Sequence, residues 1–141
     1  MKRENKSFKI IIDTNIWISF LIGKTLKGLQ VHIDSQFFRI ISCNEQLQEL
    51  SEVFKKNKIK KYLSIKQIEE FFELFSEFSE IIELKTRSSI CRDLKDNYLV
   101  SLAIDSNADF LITGDNDLLE LNKIGNTLIV RYSEFDKLIK K

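Results

Sequence analysis

The sequence predicts an α/β fold, a three-layer α/β/α sandwich whose central sheet is mainly parallel. Two short, wholly apolar segments, Ile10–Ile12 and Phe110–Ile112, are typical of strands that are buried on both faces. Segments with helical periodicity alternate with these strands along the chain, as they do in βα units. Proline is absent and glycine occurs only four times, so the composition allows long helices.

Each element follows from a local signal. Apolar runs predict strands, and apolar residues spaced three and four apart predict helices. Ser42-x-x-Glu45 and Ser64-x-x-Gln67 match the capping-box pattern, in which polar side chains satisfy the first amides of a helix. The predicted order is strand Phe8–Asp13, helices Asn15–Ile22 and Leu26–Ser35, strand Phe37–Ser42, a helix through Phe54, a helix from Ser64 to about Ser79, strand Ile81–Leu84, helix Leu94–Ser106, strands Asp109–Ile112 and Leu128–Val130, and a short terminal helix.

Composition limits the kind of protein. The 141 residues fit one domain, which is long enough to bury a core. With 22 basic and 21 acidic residues the net charge is +1, so global charge identifies no partner. Cys43 and Cys91 have no C-x-x-C spacing, which favours free thiols in the cytoplasm. We expect no membrane segment and no signal peptide.

Aspartates follow two of the predicted strands. Asp13 closes the first strand, and Asp115 follows the strand that ends at Ile112. Ligands of open α/β sheets bind at the carboxyl ends of the strands. Two acids at that edge are therefore better explained by a functional site than by ordinary solvent-exposed side chains.

Two further acids lie on predicted helices. Asp96 shares a helix face with Leu99, Val100 and Ala103, although an acid in the first turn is also explained by the helix dipole. Glu49 lies at the edge of an apolar helix face, where a solvated glutamate is the simpler interpretation if it is taken alone.

These four carboxylates could converge at one end of the sheet. At about 4 Å and an effective dielectric of about 20, each pair of like charges costs about 4 kcal/mol, so the cluster would protonate or bind a cation. Oxygen ligands suit Mg²⁺ or Mn²⁺, and His32 is the only histidine in the chain. Metal-assisted hydrolysis of a phosphodiester is the chemistry that such a site favours.

The same residues resemble the PIN domain. The motifs that carry the resemblance extend over nearly the whole chain, from about Phe8 to Phe135. They are Asp13-Thr14-Asn15 after a strand, Glu49 in a Leu-x-Glu-Leu helix, Arg92-Asp93-Leu94-Lys95-Asp96-Asn97 before an apolar helix, and Thr113-Gly114-Asp115-Asn116-Asp117-Leu118 after another strand.

The resemblance implies a Mg²⁺- or Mn²⁺-dependent endoribonuclease that acts on single-stranded RNA. Compact PIN proteins of this size are often the toxins of toxin–antitoxin pairs (VapC-like), so it also implies an antitoxin protein as partner and a homodimer. By this likeness Asp117 would be an auxiliary metal ligand or would hold a water molecule. The metal would be held by Asp13, Glu49, Asp96 and Asp115, and Thr14, Asn15 and Thr113 would position ligands or phosphate.

One basic and one acidic surface are open to two interpretations. Five lysines within residues 55–61 are either solvated or contact RNA phosphates: Lys55, Lys56, Lys58, Lys60 and Lys61. The second surface is an acidic stripe, which is either simply solvent-facing or functional. In the functional interpretation it repels nucleic acid or meets a basic partner; its residues are Glu69, Glu73, Glu77 and Glu80.

Two other functions compete with a nuclease. A haloacid-dehalogenase-like phosphatase, also metal-dependent, needs a second aspartate two residues after the first, and Asn15 stands there instead. A catalytically silent PIN-fold module that binds RNA or a partner is opposed only by the presence of all four acids.

Overall fold

The computed structural model describes residues 7–23, 38–87 and 97–139. The predicted helix at residues 26–35, His32, Cys91 and Asp96 lie outside these ranges. The described strands are β1 Phe8–Ile12, β2 Phe38–Ser42, β3 Ser79–Ile81, β4 Phe110–Ile112, β5 Lys123–Ile124 and β6 Thr127–Val130. The described helices are α1 Thr14–Gly23, α2 Asn44–Phe54, α3 Asn57–Lys60, α4 Ile65–Phe78, α5 Asn97–Ser106, α6 Asn116–Leu119 and α7 Tyr132–Ile139.

The strands form one sheet in the order β3-β2-β1-β4-β6-β5. All neighbouring strands are parallel except β5 and β6, which are antiparallel. The chain builds the sheet in one direction from β1 through β2 to β3, and then resumes on the other side of β1 with β4. The strand order therefore reverses between β1 and β4, where the carboxyl ends of parallel strands leave a crevice for ligands. Ile12 pairs with Ile112 at this point, so the two strands end side by side.

Successive residues of β1 face opposite sides of the sheet, and each side is covered by helices. Ile10 and Ile12 pack with Trp17 and Phe75 from the helices of one layer. Ile11 packs on the other side with Leu99 and its neighbours on α5. All three isoleucines are completely buried. The predicted three-layer α/β/α sandwich with a mainly parallel sheet is confirmed.

One of the two predicted helix caps is wrong. Ser42 is the last residue of β2 and pairs with Ile81 of β3, so it cannot also adopt the position before a helix. Cys43 precedes α2 instead, without a side-chain cap. The predicted capping box at Ser64 is confirmed, because the Ser64 hydroxyl accepts from the Gln67 amide at 3.1 Å and Gln67 Oε1 accepts from the Ser64 amide at 2.8 Å.

The remaining differences are at the ends of elements and in short elements. The third strand begins at Ser79, earlier than predicted, because Ser79 already pairs with Ile40 of β2. The sequence did not predict α3, α6 or β5, which have two to four residues each. Among the described residues, no helix has both the length and the apolar character required to cross a bilayer.

Candidate active site

Asp13 joins the end of β1 to the start of α1. Its amide donates to the carbonyl of Ile112 at 2.9 Å, which continues the pairing between β1 and β4. Its own carbonyl accepts from the amides of Ile16 and Trp17 at 3.0 and 3.2 Å, which begins the helix. The backbone therefore fixes Asp13 in the crevice at the reversal point, and only 7% of the residue is exposed.

The Asp13 carboxylate is held in an environment that opposes its charge. Thr113 Oγ1 donates to its Oδ2 at 2.7 Å, and the Asn15 amide lies 3.4 Å from its Oδ1. Burial raises the pKa of Asp13; the bonds from Thr113 and Asn15 lower it, and the charges of Glu49 and Asp115 raise it further. The net effect is a raised pKa, because desolvation outweighs the hydrogen bonds.

Thr113 connects Asp13 to the turn that carries Asp115. The Thr113 amide donates to the carbonyl of Val130 on β6 at 3.0 Å, and its hydroxyl accepts from the Asp115 amide at 3.0 Å. Asp115 Oδ1 in turn accepts from the Asp117 amide at 2.8 Å and caps α6. The predicted residues Asp13, Thr113 and Asp115 are thus joined by hydrogen bonds, while Asp115 also has the structural role of a helix cap.

Glu49 is half-buried on α2 and faces the start of α1. Thr14 Oγ1 donates to Glu49 Oε1 at 2.8 Å, and the Tyr98 hydroxyl donates to the same oxygen at 2.5 Å. The two hydroxyls lie 3.2 Å apart. Glu49 is therefore not simply solvated, and its charge acts on Asp13.

Gln46, one turn before Glu49, attaches α2 to the end of β1. Its Nε2 donates to the carbonyl of Ile12 at 2.6 Å, and its Oε1 accepts from the hydroxyl of Ser42 at 2.5 Å. Because Gln46 is completely buried, this pair of bonds fixes α2 relative to the backbone that precedes Asp13.

The sequence analysis did not identify three polar residues at this edge: Gln46, Tyr98 and Arg131. Gln46 could have been noticed as a polar residue on the buried face of α2, three positions before Glu49. Arg131 directly follows β6, as Asp13 follows β1, and its Nη2 donates to Asn116 Oδ1 at 3.3 Å. Tyr98 had no such signal, because its partners come from distant segments.

The other predicted site residues differ in how far they are exposed to solvent. Asn15 is exposed beside Asp13, and Asp117 is half-buried after Asp115. Ile59 of α3 is buried and anchors the segment that carries the exposed lysines. All five predicted RNA-contacting lysines, Lys55, Lys56, Lys58, Lys60 and Lys61, are exposed.

The acidic stripe and Cys43 lie outside this arrangement. The four glutamates of the stripe are exposed, and Glu80, on β3 instead of α4, forms an ion pair with Arg39. Cys43 is completely buried, and desolvation raises the pKa of its thiol to about 12. Buried packing therefore describes this cysteine better than a reactive thiol does.

The donors at the carboxyl edge fit a hard divalent cation in charge and chemistry. Asp13 is buried while the charges of Glu49 and Asp115 act on it, a repulsion that a bound cation would relieve. Within the residues that the structure describes, no three His, Cys, Asp or Glu side chains are grouped as a complete set of metal ligands. Mg²⁺ commonly takes only one or two protein carboxylates and keeps several waters, so a partial set is compatible with it.

Comparisons with known proteins agree with this fold. Residues 9–117 match the family model described as "PIN domain". The uncharacterized protein MJ1680 of Methanocaldococcus jannaschii is 35% identical over 124 residues, which cover 85% of this chain and 79% of that protein. A chain in the crystal structure of VapBC2 from Rickettsia felis, bound to a DNA fragment from their promoter, superposes with a TM-score of 0.57 at 18% identity, covering 86% of this chain and 97% of that chain. The family match spans more than half of the sequence, and the chain therefore belongs to the PIN-domain family, whose members are generally nucleases.

Proposed function

We propose that this chain is an endoribonuclease that depends on Mg²⁺ or Mn²⁺ and hydrolyses phosphodiester bonds of single-stranded RNA. The observation that supports it most strongly is the Asp13 carboxylate, buried at the reversal point of the sheet under the charges of Glu49 and Asp115. Like charges around a buried carboxylate cost stability, and a bound cation would offset that cost. The whole chain, residues 1–141, would act as one domain.

In this proposal the four acids hold the cation and the neighbouring polar groups orient them. Thr113 fixes Asp13, and Thr14 fixes Glu49, through the hydrogen bonds already described. Asn15 would contact the phosphate from its exposed position beside Asp13, and Asp117 would hold water. The ligands would be Asp13, Glu49, Asp96 and Asp115.

The chemistry is hydrolysis without a covalent intermediate. A bound Mg²⁺ or Mn²⁺ would supply positive charge that polarises the scissile phosphate and lowers the pKa of a nearby water. The oxygen of water forms a bond to phosphorus and the water gives up a proton, while the bond from phosphorus to the leaving oxygen breaks and the leaving oxygen takes up a proton. Asp13 and Glu49 contribute by fixed geometry, since both are held by hydroxyl donors before substrate arrives. No histidine is needed.

The test is cleavage of one structured and one unstructured RNA by the purified protein. We expect cutting of the unstructured RNA with Mg²⁺ or Mn²⁺, none with chelator, and loss of cutting in Asp96→Asn. Folded wild-type protein that cuts neither RNA would favour the catalytically silent binding module. Cutting that survives both chelator and Asp96→Asn would indicate a contaminating ribonuclease.

The five lysines would provide affinity for the RNA backbone that does not depend on sequence. Replacing all five with alanine should weaken RNA binding and reduce its dependence on salt, by about 0.7 in the log–log slope for each lysine–phosphate interaction removed. Binding is measured by fluorescence anisotropy at several salt concentrations. Cleavage should persist at high enzyme concentration because the carboxylates are intact. An unchanged affinity and slope would exclude this role for the lysines.

We further propose that the chain is the toxin of a toxin–antitoxin pair that acts in the cytoplasm. The likeness in fold to a chain of the VapBC2 complex supports this proposal. An antitoxin protein would be the partner, and a homodimer is the expected assembly. Co-expression with the product of an adjacent gene should relieve any growth arrest that this chain causes.

A further inference from the structure

We infer that Tyr98 is a positioning residue for the proposed cation site, because its hydroxyl holds one oxygen of Glu49 and leaves the other oriented for a ligand bond. This inference rests on the proposed function. It concerns a residue that belongs to none of the motifs that identify the family.

The hydrogen bonds around Glu49 are unequal. Both hydroxyl donors, Tyr98 at 2.5 Å and Thr14 at 2.8 Å, bond to Oε1. Oε2 accepts no hydrogen bond from the residues that the structure describes. A carboxylate held by one oxygen has its direction fixed while the second oxygen stays available to a cation.

Tyr98 can perform this role because of where α5 begins. It is the second residue of α5, and the following residues Leu99 and Val100 pack against the face of the sheet opposite to Trp17. Its hydroxyl nevertheless reaches Glu49 of α2, whose Leu50 packs on the Trp17 side. The Tyr98–Glu49 bond therefore connects the two helical layers across the carboxyl edge of the sheet, beside Asp13.

The phenol is a permanent donor at neutral pH. The ordinary pKa of a phenol is about 10, and an ionised carboxylate can only accept a hydrogen bond. The donor direction is therefore fixed from Tyr98 to Glu49. Replacing the hydroxyl with hydrogen in Tyr98→Phe preserves the ring and removes only this constraint.

The test compares Tyr98→Phe with Tyr62→Phe, the same chemical change at an exposed tyrosine. Mn²⁺ affinity is measured by calorimetry, and the thermal shift produced by Mn²⁺ is recorded beside the melting temperature without metal. We expect the dissociation constant of Tyr98→Phe to rise at least about tenfold, as is typical when a group that orients a ligand is lost. Cleavage by this variant should recover at saturating Mn²⁺, and Tyr62→Phe should match the wild type.

The outcomes separate this inference from the proposed function. A dissociation constant of Tyr98→Phe equal to or lower than that of the wild type overturns the positioning role and leaves the nuclease intact. A lower melting temperature without metal, accompanied by unchanged affinity, identifies a purely structural tyrosine and also overturns it. If the wild type binds no Mn²⁺ and Asp13→Asn behaves identically, the proposed function fails and this inference fails with it.

Discussion

Asp13→Asn is expected to lower the rate of RNA cleavage by at least about 100- to 1,000-fold. The substitution removes interactions worth several kcal/mol at the reacting phosphate, and each loss of about 1.4 kcal/mol lowers the rate tenfold. Asparagine has nearly the same shape as aspartate and can still accept the hydrogen bond from Thr113. The change removes negative charge from the crevice and little else. Cation binding, not geometry, should therefore be the property that fails.

The same substitution should not destabilise the protein in chelator. Burial raises the pKa of Asp13 above its value in the unfolded chain, so stability falls as the pH rises from the unfolded pKa through the folded pKa, and the full cost is present above the folded pKa. Removing the ionised carboxylate at pH 7 should leave the free energy of unfolding unchanged or higher. Lowering the pH below the unfolded pKa of about 3.9 should abolish the difference, because Asp13 is then protonated in both states.

Cleavage rates and urea unfolding of Asp13→Asn are the two measurements. Asp105→Asn is the matched control, because Asp105 lies near the other end of α5 and bonds to the backbone of Lys85 and Thr86. The control should cleave as the wild type does. Wild-type activity in Asp13→Asn would show that the candidate site is wrong. Lost activity together with lost stability would mean that Asp13 is mainly structural.

The second large effect concerns the aromatic cluster on α4. Phe75→Ala is expected to lower the free energy of unfolding by about 3–5 kcal/mol, the usual cost of deleting a buried phenylalanine side chain. Phe75 is 1% exposed, and its ring centroid lies 5.3 Å from that of Trp17 and 5.4 Å from that of Phe71. These rings pack in the same core cluster as Ile10 and Ile12 of β1. The alanine variant would therefore leave a cavity that the neighbouring rings cannot fill without moving.

Urea unfolding followed by circular dichroism measures this loss, and the fluorescence of Trp17, the only tryptophan, reports on the cavity itself. Leu74→Ala provides a control on the same helix, since Leu74 is 40% exposed. It should cost well under half as much. Equal losses for the two variants would contradict the packing described here. Total stabilities of domains are about 5–15 kcal/mol, so Phe75→Ala should also reduce the yield of folded protein.

The elements that the sequence predicted correctly are those with a strong local signal. The Ile10–Ile12 strand is apolar at every position because both of its faces are covered, and the Ser64 cap is complete within four residues. Ser42-x-x-Glu45 has the same local pattern as that cap, but pairing with β3 keeps Ser42 in the sheet. Tertiary pairing therefore overrode a correct local rule.

The site was predictable only in part, for a related reason. Asp13 and Asp115 could be placed because parallel strands end at a common edge, which needs no knowledge of side-chain packing. Tyr98 could not, since its partners Thr14 and Glu49 are 84 and 49 residues away in the sequence. The role of Asp96 remains a prediction because Asp96 lies outside the described residues, and the role of the lysines remains one because it depends on an RNA.

The pairing of β1 with β4 has a consequence for the time at which the site can form. Thr113 and Asp13 are separated by 100 residues, and the hydrogen bond between them requires β4 to dock beside β1. Interactions between residues so distant in sequence form late in folding, because a long loop must close first. In a nascent chain whose β4 has not yet emerged from the ribosome, Asp13 lacks both the hydroxyl of Thr113 and the neighbouring Asp115. Under the proposed function, such an incomplete chain cannot damage RNA in the cell that is making it.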